Sequence, residues 1–348
     1  MEDKEIDTWL GKDLPKYKVL TNTVVNIVES LLNGNKIDYL TITGRTKTTE
    51  SIKEKIQRKS YNTPETQMTD LSGIRIIAYF ESDVDEISKI IEKSFCIDKQ
   101  NSLSKDSLLA ADQMGYRSIH YVCDLGNNRT TLPEFNDLNG MKFEFQIRTV
   151  LQHAWAELAH DRNYKFSGKL PKEIERKIYL YAGMLEIADK GFDEISSQMN
   201  EYVKDFNSRT NKGDYNIEIN SISLEEYIEK WANSNNFELR EYLNRPKSDF
   251  SDLICELDQM GVRTILELMK IIPDNYSEAA KKLNYSTTIH GVIRDWMLVH
   301  DYKKYHDEVT FDWHGFSSTA MFSELLTPDR MSEFYEIYKD HDFLDDDE

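Results

Sequence analysis

The sequence predicts an α+β domain followed by a mainly helical one, and three observations carry this. Met141, Phe143, Phe145 and Ile147 alternate with Lys142, Glu144, Gln146 and Arg148, a period of two that marks a strand with one buried and one polar face. Thr149 follows as an N-cap, and Leu151, Ala154, Trp155, Leu158 and Ala159 then form the apolar stripe of a helix. Similar strand and helix patterns fill the first half of the chain, and beyond the polar segment Asn207–Asp214 only helical patterns remain. At 348 residues the chain has room for two domains, placed at 1–210 and 215–348.

The elements follow in order. Leu14–Leu32 reads as a helix with Leu20, Val24, Ile27, Val28 and Leu31 on one face, stopped by Gly34. Asp38–Thr43 is a short strand, with Gly44 as a turn, and Thr49–Lys59 is a helix. Leu71–Phe80 is a strand with Ile74, Ile76, Ala78 and Phe80 on one face; Val84–Phe95 is an amphipathic helix. Ser102–Met114 fits a loop with one helical turn, and Arg117–Cys123 is a strand. After the strand and helix described above, Pro171–Phe206 forms one or two helices and Asn207–Asp214 a linker. Short helices are expected at 224–231, 237–242, 250–257, 265–271, 276–283 and 289–298. The end, DHDFLDDDE, is a solvated acidic tail.

Composition narrows the function. Charged residues are 30% and hydrophobic ones 39%, as in water-soluble globular proteins. No apolar run reaches the ~20 residues of a membrane span, and the N-terminus lacks the features of a signal peptide, so a cytoplasmic location and no membrane partner are expected. Cys96, Cys123 and Cys255 are scattered and form no C-x-x-C, which argues for buried thiols rather than disulfides or zinc. A net charge of −19 disfavours bulk nucleic-acid binding but allows a local basic pocket.

Four segments could carry chemistry. Arg45–Lys59 sets six cations, Arg45, Lys47, Lys53, Lys55, Arg58 and Lys59, against Glu50 and Glu54; it fits an anion site, or a solvated helix with Glu–Lys pairs. In Asp70–Arg75, an aspartate at a strand start suits Mg²⁺, Gly73 admits a ligand close to the backbone, and Arg75 can grip phosphate. In Gly115–His120, Tyr116 is placed to stack on a base or to bury one ring face. On the strand Met141–Arg148, Glu144 is the one carboxylate of the polar face, which a half-solvated sheet would also explain. There is no P-loop and no G-x-G-x-x-G. His153, Glu157 and His160 share a helix face that fits a metal or a merely structural role.

Taken together and in this order, these segments resemble the synthetase domain of the RelA/SpoT family, which makes the alarmones ppGpp and pppGpp. The matching pieces are R-x-K-x-x-x-S-x-x-x-K at Arg45, Lys47, Ser51 and Lys55, DLSGIR at Asp70, GYRSIH at Gly115, EFQIRT at Glu144, and HAWAELAHDRNYK at His153. The resemblance covers about Leu14–Lys165. It implies a nucleotidyltransferase-like mixed β-sheet flanked by helices, and transfer of pyrophosphate from ATP to the 3′-hydroxyl of GDP or GTP. By the same resemblance Arg45, Lys47, Ser51, Lys55 and Arg75 would hold ATP, and Asp70 would bind Mg²⁺. Glu144 would bind metal or take the hydroxyl proton. Tyr116 would stack on the acceptor base, Gln146 and Arg148 would shape the acceptor side, and His120 and Asn163 match family positions there.

Two departures qualify this. The loop before GY reads Ala111-Asp112-Gln113-Met114 where relatives often carry Lys or Asn for the acceptor phosphates, which leaves adenosine nucleotides or the tRNA 3′ end as other acceptors, and an inactive nucleotide sensor as a third reading. The stretch before Asp70 is too short for the family's hydrolase domain, so a synthetase alone is expected. Glu256–Ile272, with Gly261 at the turn, reads as a helical hairpin used for protein packing. The region after Asp214 is expected to regulate the synthetase, by covering its ATP side or by homo-oligomer assembly through the C-terminal helices, or else to serve as a passive helical domain that only stabilises the fold.

Overall fold

The chain opens on one long helix, α1 (Asp3–Gly34), which starts well before the expected Leu14 and carries Pro15 within it. In this computed structural model residues 3–102, 118–165, 171–240, 249–311 and 319–339 are described, the side chains of residues 3, 159–165 and 175 excepted. The chain divides into two compact units, Met1–Ser197 and Gln198–Glu348.

In the first unit, α1 is followed by β1 (Thr41–Thr46), α2 (Thr49–Lys59), α3 (Pro64–Gln67), β2 (Ser72–Ala78), α4 (Glu81–Ser94), β3 (Cys96–Ile97), β4 (Ile119–Asp124), α5 (Asn127–Thr130), a 3₁₀ turn at Pro133–Leu138, β5 (Phe143–Thr149), α6 (Val150–Lys165) and the start of α7 (Lys172–Asn211), whose residues from Gln198 on belong to the second unit. The strands form one mixed sheet in the order β1-β2-β5-β4-β3. β2 and β5 run parallel, and the other pairs are antiparallel. The last strand in sequence thus lies at the centre.

The apolar face of the sheet is the one the alternation indicates. Ile42, Ile74, Ile76, Ile119, Tyr121, Phe143, Phe145 and Ile147 are buried with Leu20, Val24 and Val28 of α1 and Val84, Ile87 and Ile91 of α4. Phe95, Phe143 and Phe145 meet edge to face, with centroids 5.2–5.6 Å apart. Gly44 is not a turn. It lies inside β1, and a Cβ there would come 2.6 Å from the Thr21 methyl and 2.8 Å from a Val25 methyl. The glycine therefore marks close approach of α1 to the strand. Below it the Thr21 hydroxyl meets Tyr17 O at 2.7 Å, Thr46 Oγ1 at 2.8 Å and Ser72 Oγ at 2.7 Å, tying α1 to β1 and the start of β2.

Thr149 caps α6 as its sequence indicates. Its hydroxyl accepts from the Gln152 N–H and donates to Asp189 Oδ2 of α7 at 2.7 Å, while its own N–H donates to the Gln152 side chain. Of the cysteines, Cys123 is buried but Cys96 and Cys255 are exposed, against expectation. Cys96 stands on the short edge strand β3 and Cys255 on the outer face of its helix, where the core does not reach.

In the second unit α8 (Ser221–Asn235), α9 (Ser251–Gln259), α10 (Ile265–Ile271), α11 (Tyr276–Leu283), α12 (Ile289–Glu308), α13 (Thr319–Leu325) and α14 (Pro328–Ile337) surround Trp296, Tyr276, Phe322 and Phe334. Asn207–Asn211 is the last turn of α7 and not a linker, since Thr210 is buried and Asn207 donates to Glu226. The helix expected at 237–242 is absent over the described residues 237–240: Leu239 instead makes a β-bridge with Thr287. The α9–α10 hairpin is present and turns at Gly261, whose φ of 79° favours glycine. Glu256 is buried and takes a two-pronged bond from Arg294 and another from Tyr305 at 2.8 Å. Among the described residues no helix is long and apolar enough to cross a membrane.

Candidate active site

Strand register assembles the polar face. β1 sets Thr43 opposite Arg75 and Arg45 opposite Gly73. β5 sets Glu144 opposite Gly73, Gln146 opposite Arg75 and Arg148 opposite Ile77. β4 sets His120 opposite Gln146. Directly opposed residues share a face, so Arg45, Arg75, His120, Glu144, Gln146 and Arg148 lie on one side of the sheet. Arg45 is exposed there.

Asp70 lies two residues before β2. Lys55 Nζ is 2.5 Å and Lys47 Nζ 3.3 Å from its Oδ2. Burial opposes ionisation of Asp70, but the two ammonium groups outweigh it and hold the carboxyl below its ordinary range. Both lysines are placed by α2, one on it and one just before it. That helix starts at the Thr48 cap, whose hydroxyl accepts from the Ser51 N–H. Ser51 thus stands on the first turn, beside the cations.

Glu144 Oε1 is 2.5 Å from His120 Nδ1, and the other ring nitrogen is 2.7 Å from Ser118 Oγ. Arg148 is 4% exposed and bonds Gln146 Oε1 at 3.1 Å. Burial and the nearby Arg75 push its guanidinium down to about 10, with Glu157 working the other way. Arg75 pairs with Glu157 of α6 at 3.0 Å, and His153 lies 3.7 Å from the same carboxylate. Burial, Arg148 and Arg75 together disfavour the charged form of His153. Of the helix face of His153, Glu157 and His160, Glu157 is engaged by Arg75, and the His160 side chain is outside the described residues. Tyr116, with all of residues 103–117, is outside them too. Asn163 lies in α6 by its backbone alone.

Asp70 Oδ1 is buried and has no hydrogen-bond partner, an oxygen left over in a cationic surrounding. It suits a hard divalent cation, with Glu144 as a second oxygen donor and phosphates or water completing the shell. Among the described residues no three His, Cys, Asp or Glu side chains group to hold a metal by themselves. Two residues of the face were not singled out by sequence for these positions. Glu157 partners Arg75 and Ser118 partners His120. The first is a contact between helix α6 and β2, the second a contact two residues along the chain at the start of β4.

A mixed sheet whose polar face gathers cations around two carboxylates is an arrangement that can receive a polyphosphate. Residues 44–169 match the family model described as the region found in RelA / SpoT proteins. GTP pyrophosphokinase YjbM of Bacillus subtilis is 28% identical over 222 residues, 61% of this chain and 98% of that protein. GTP pyrophosphokinase YwaC of the same organism is 29% identical over 157 residues, 44% of this chain and 70% of the relative. The crystal structure of small alarmone synthetase 1 from B. subtilis aligns over 56% of this chain and 99% of its own, with a TM-score of 0.47 and 25% identity.

Proposed function

We propose that this chain transfers the pyrophosphoryl group of ATP to the 3′-hydroxyl of GDP or GTP, forming ppGpp or pppGpp and releasing AMP. The observation that carries the reading is the parallel pairing of β2 with β5. It brings Asp70 and Glu144 to the same end of adjacent strands, among the cations of β1, α2 and β2. Such transfer needs positioning and charge neutralisation more than covalent help from the protein.

Arg45, Lys47, Lys55 and Arg75, with Ser51, receive the ATP phosphates. Lys47 and Lys55 exchange Asp70 for phosphate oxygen, and Arg75 exchanges Glu157. Mg²⁺, held by Asp70 and Glu144 with the phosphates, would supply further neutralisation of the triphosphate. Tyr116 stacks on the acceptor base, while His120, Gln146, Arg148 and Asn163 bound the acceptor side. Glu144 removes the O3′ proton, the oxygen lone pair attacks the β-phosphorus, and the bond between the α–β bridging oxygen and that phosphorus breaks, its electrons leaving with AMP.

The test is incubation with γ-labelled ATP, Mg²⁺ and one acceptor at a time: GDP, GTP, AMP or tRNA. Label is expected on GDP or GTP. Label only on AMP or tRNA, or on none, would refute the guanosine reading.

A further inference from the structure

We infer that Ser118 is a positioning residue of this site, acting on Glu144 through the ring of His120. The inference rests on the transfer reading above and gives a role to a residue which that reading leaves out. The three side chains form one line: Ser118 Oγ to His120 Nε2 at 2.7 Å, then His120 Nδ1 to Glu144 Oε1 at 2.5 Å.

The polarity of the line follows from what each atom can do. A carboxylate only accepts, so Nδ1 carries the hydrogen. With a single ring hydrogen, on Nδ1, Nε2 has only a lone pair to offer, and in that contact the Ser118 hydroxyl is the one group with a hydrogen to give. Without this hydroxyl the ring loses the group that selects its tautomer. The alternative tautomer turns a lone pair toward Glu144 Oε1, and the two repel. The carboxylate end of the line is the more sheltered, the Glu144 side chain being 17% exposed and that of His120 31%.

The backbone holds the line in place. Ser118 stands immediately before β4, His120 lies within it, and β4 is in register with β5. With Oε1 fixed by the ring, Glu144 presents Oε2 to the acceptor. Ser118 thereby sets the aim of the carboxylate without touching substrate.

The test is a double-mutant cycle on the full-length enzyme with ATP and GTP. Ser118→Ala should lower kcat about 10-fold, the worth of one sheltered hydrogen bond. The KM for GTP should stay within about twofold, since no ground-state contact with substrate is lost. Ser118→Thr, which keeps the hydroxyl, should restore most of the rate. His120→Asn retains a donor toward Oε1 but cannot reach Ser118, so adding Ser118→Ala to it should cost nothing more. Multiplying effects, or an unchanged kcat in Ser118→Ala, would overturn the inference.

A second measurement needs no turnover. The ¹⁵N shifts of the His120 ring should report the Nδ1–H tautomer in the wild type and a mixture in Ser118→Ala. If the wild type labels no guanosine acceptor, the proposed function fails, and these shifts still decide on Ser118. Identical tautomer populations in the two proteins overturn its role.

Discussion

Asp70 is held ionised by two lysines, yet one of its oxygens is buried with nothing to bond. This state is poised for exchange: the cations can pass to an incoming phosphate while the carboxylate passes to a metal. Asp70→Asn keeps the shape and removes the charge. It is expected to lower pyrophosphate transfer roughly 100-fold or more, with an unchanged circular dichroism spectrum. Glu144→Gln should behave alike. Near wild-type turnover in either variant would mean the site is misassigned. Tyr116→Ala tests the acceptor side separately. Loss of stacking should weaken acceptor binding roughly 5- to 150-fold while ATP affinity holds. Titration of each nucleotide alone measures this, and a change confined to ATP would sink it.

At the scale of elements, the seam between α1 and β1 is set by one missing side chain. Thr21 and Val25 are β-branched and stiff, so a methyl added at residue 44 pushes the helix off the strand. Gly44→Ala should cost about 1–3 kcal/mol, read as a fall in denaturation midpoint. It should also lower ATP affinity, because Arg45 follows on the same strand. Full stability in this variant would show that the helix shifts freely.

Gly44 also shows where sequence runs out. A glycine between a short strand and a basic helix gives one signal for a turn and for close packing, and only the distance to α1 tells them apart. Thr49–Lys59 was legible to the residue, because its cap and stop are local. The polar face of β5 was legible from period alone. The Asp70 clamp was not, since Lys47 and Lys55 reach it through tertiary folding. The line from Ser118 to Glu144 was hidden likewise, because β4 and β5 are separated in sequence by a long stretch. Leu239 misled for another reason: its apolar neighbours fit a helical spacing, but pairing with Thr287 prevailed over local propensity.

At the scale of the molecule, the two units have separate apolar cores, one around Phe143 and Phe145 and one around Trp296 and Tyr276. The second also encloses charge. Arg294 and Glu256 pair at 2.5 Å with side chains 17% and 3% exposed. Removing one partner strands the other, so Arg294→Met should destabilise by about 3–5 kcal/mol. Calorimetry of the full chain should resolve two transitions. Arg294→Met should move one of them and Gly44→Ala the other. A single transition shifted by both variants would show that the cores unfold as one.

The central place of β5 has a consequence in time. Until this strand is made, the nascent chain can form only two ribbons, β1 with β2 and β3 with β4, each with an open edge toward the gap. Their joining waits on pairings distant in sequence, whose loop-closure cost comes before any return, so it is the slow step of assembly. The open edges of β2 and β4 are then the places where an unfinished chain would adhere to another. The same delay acts as a safeguard. Glu144 arrives on the last of the five described strands to be synthesised, so a nascent chain that has not yet reached β5 lacks one of the two carboxylates and cannot complete the proposed site.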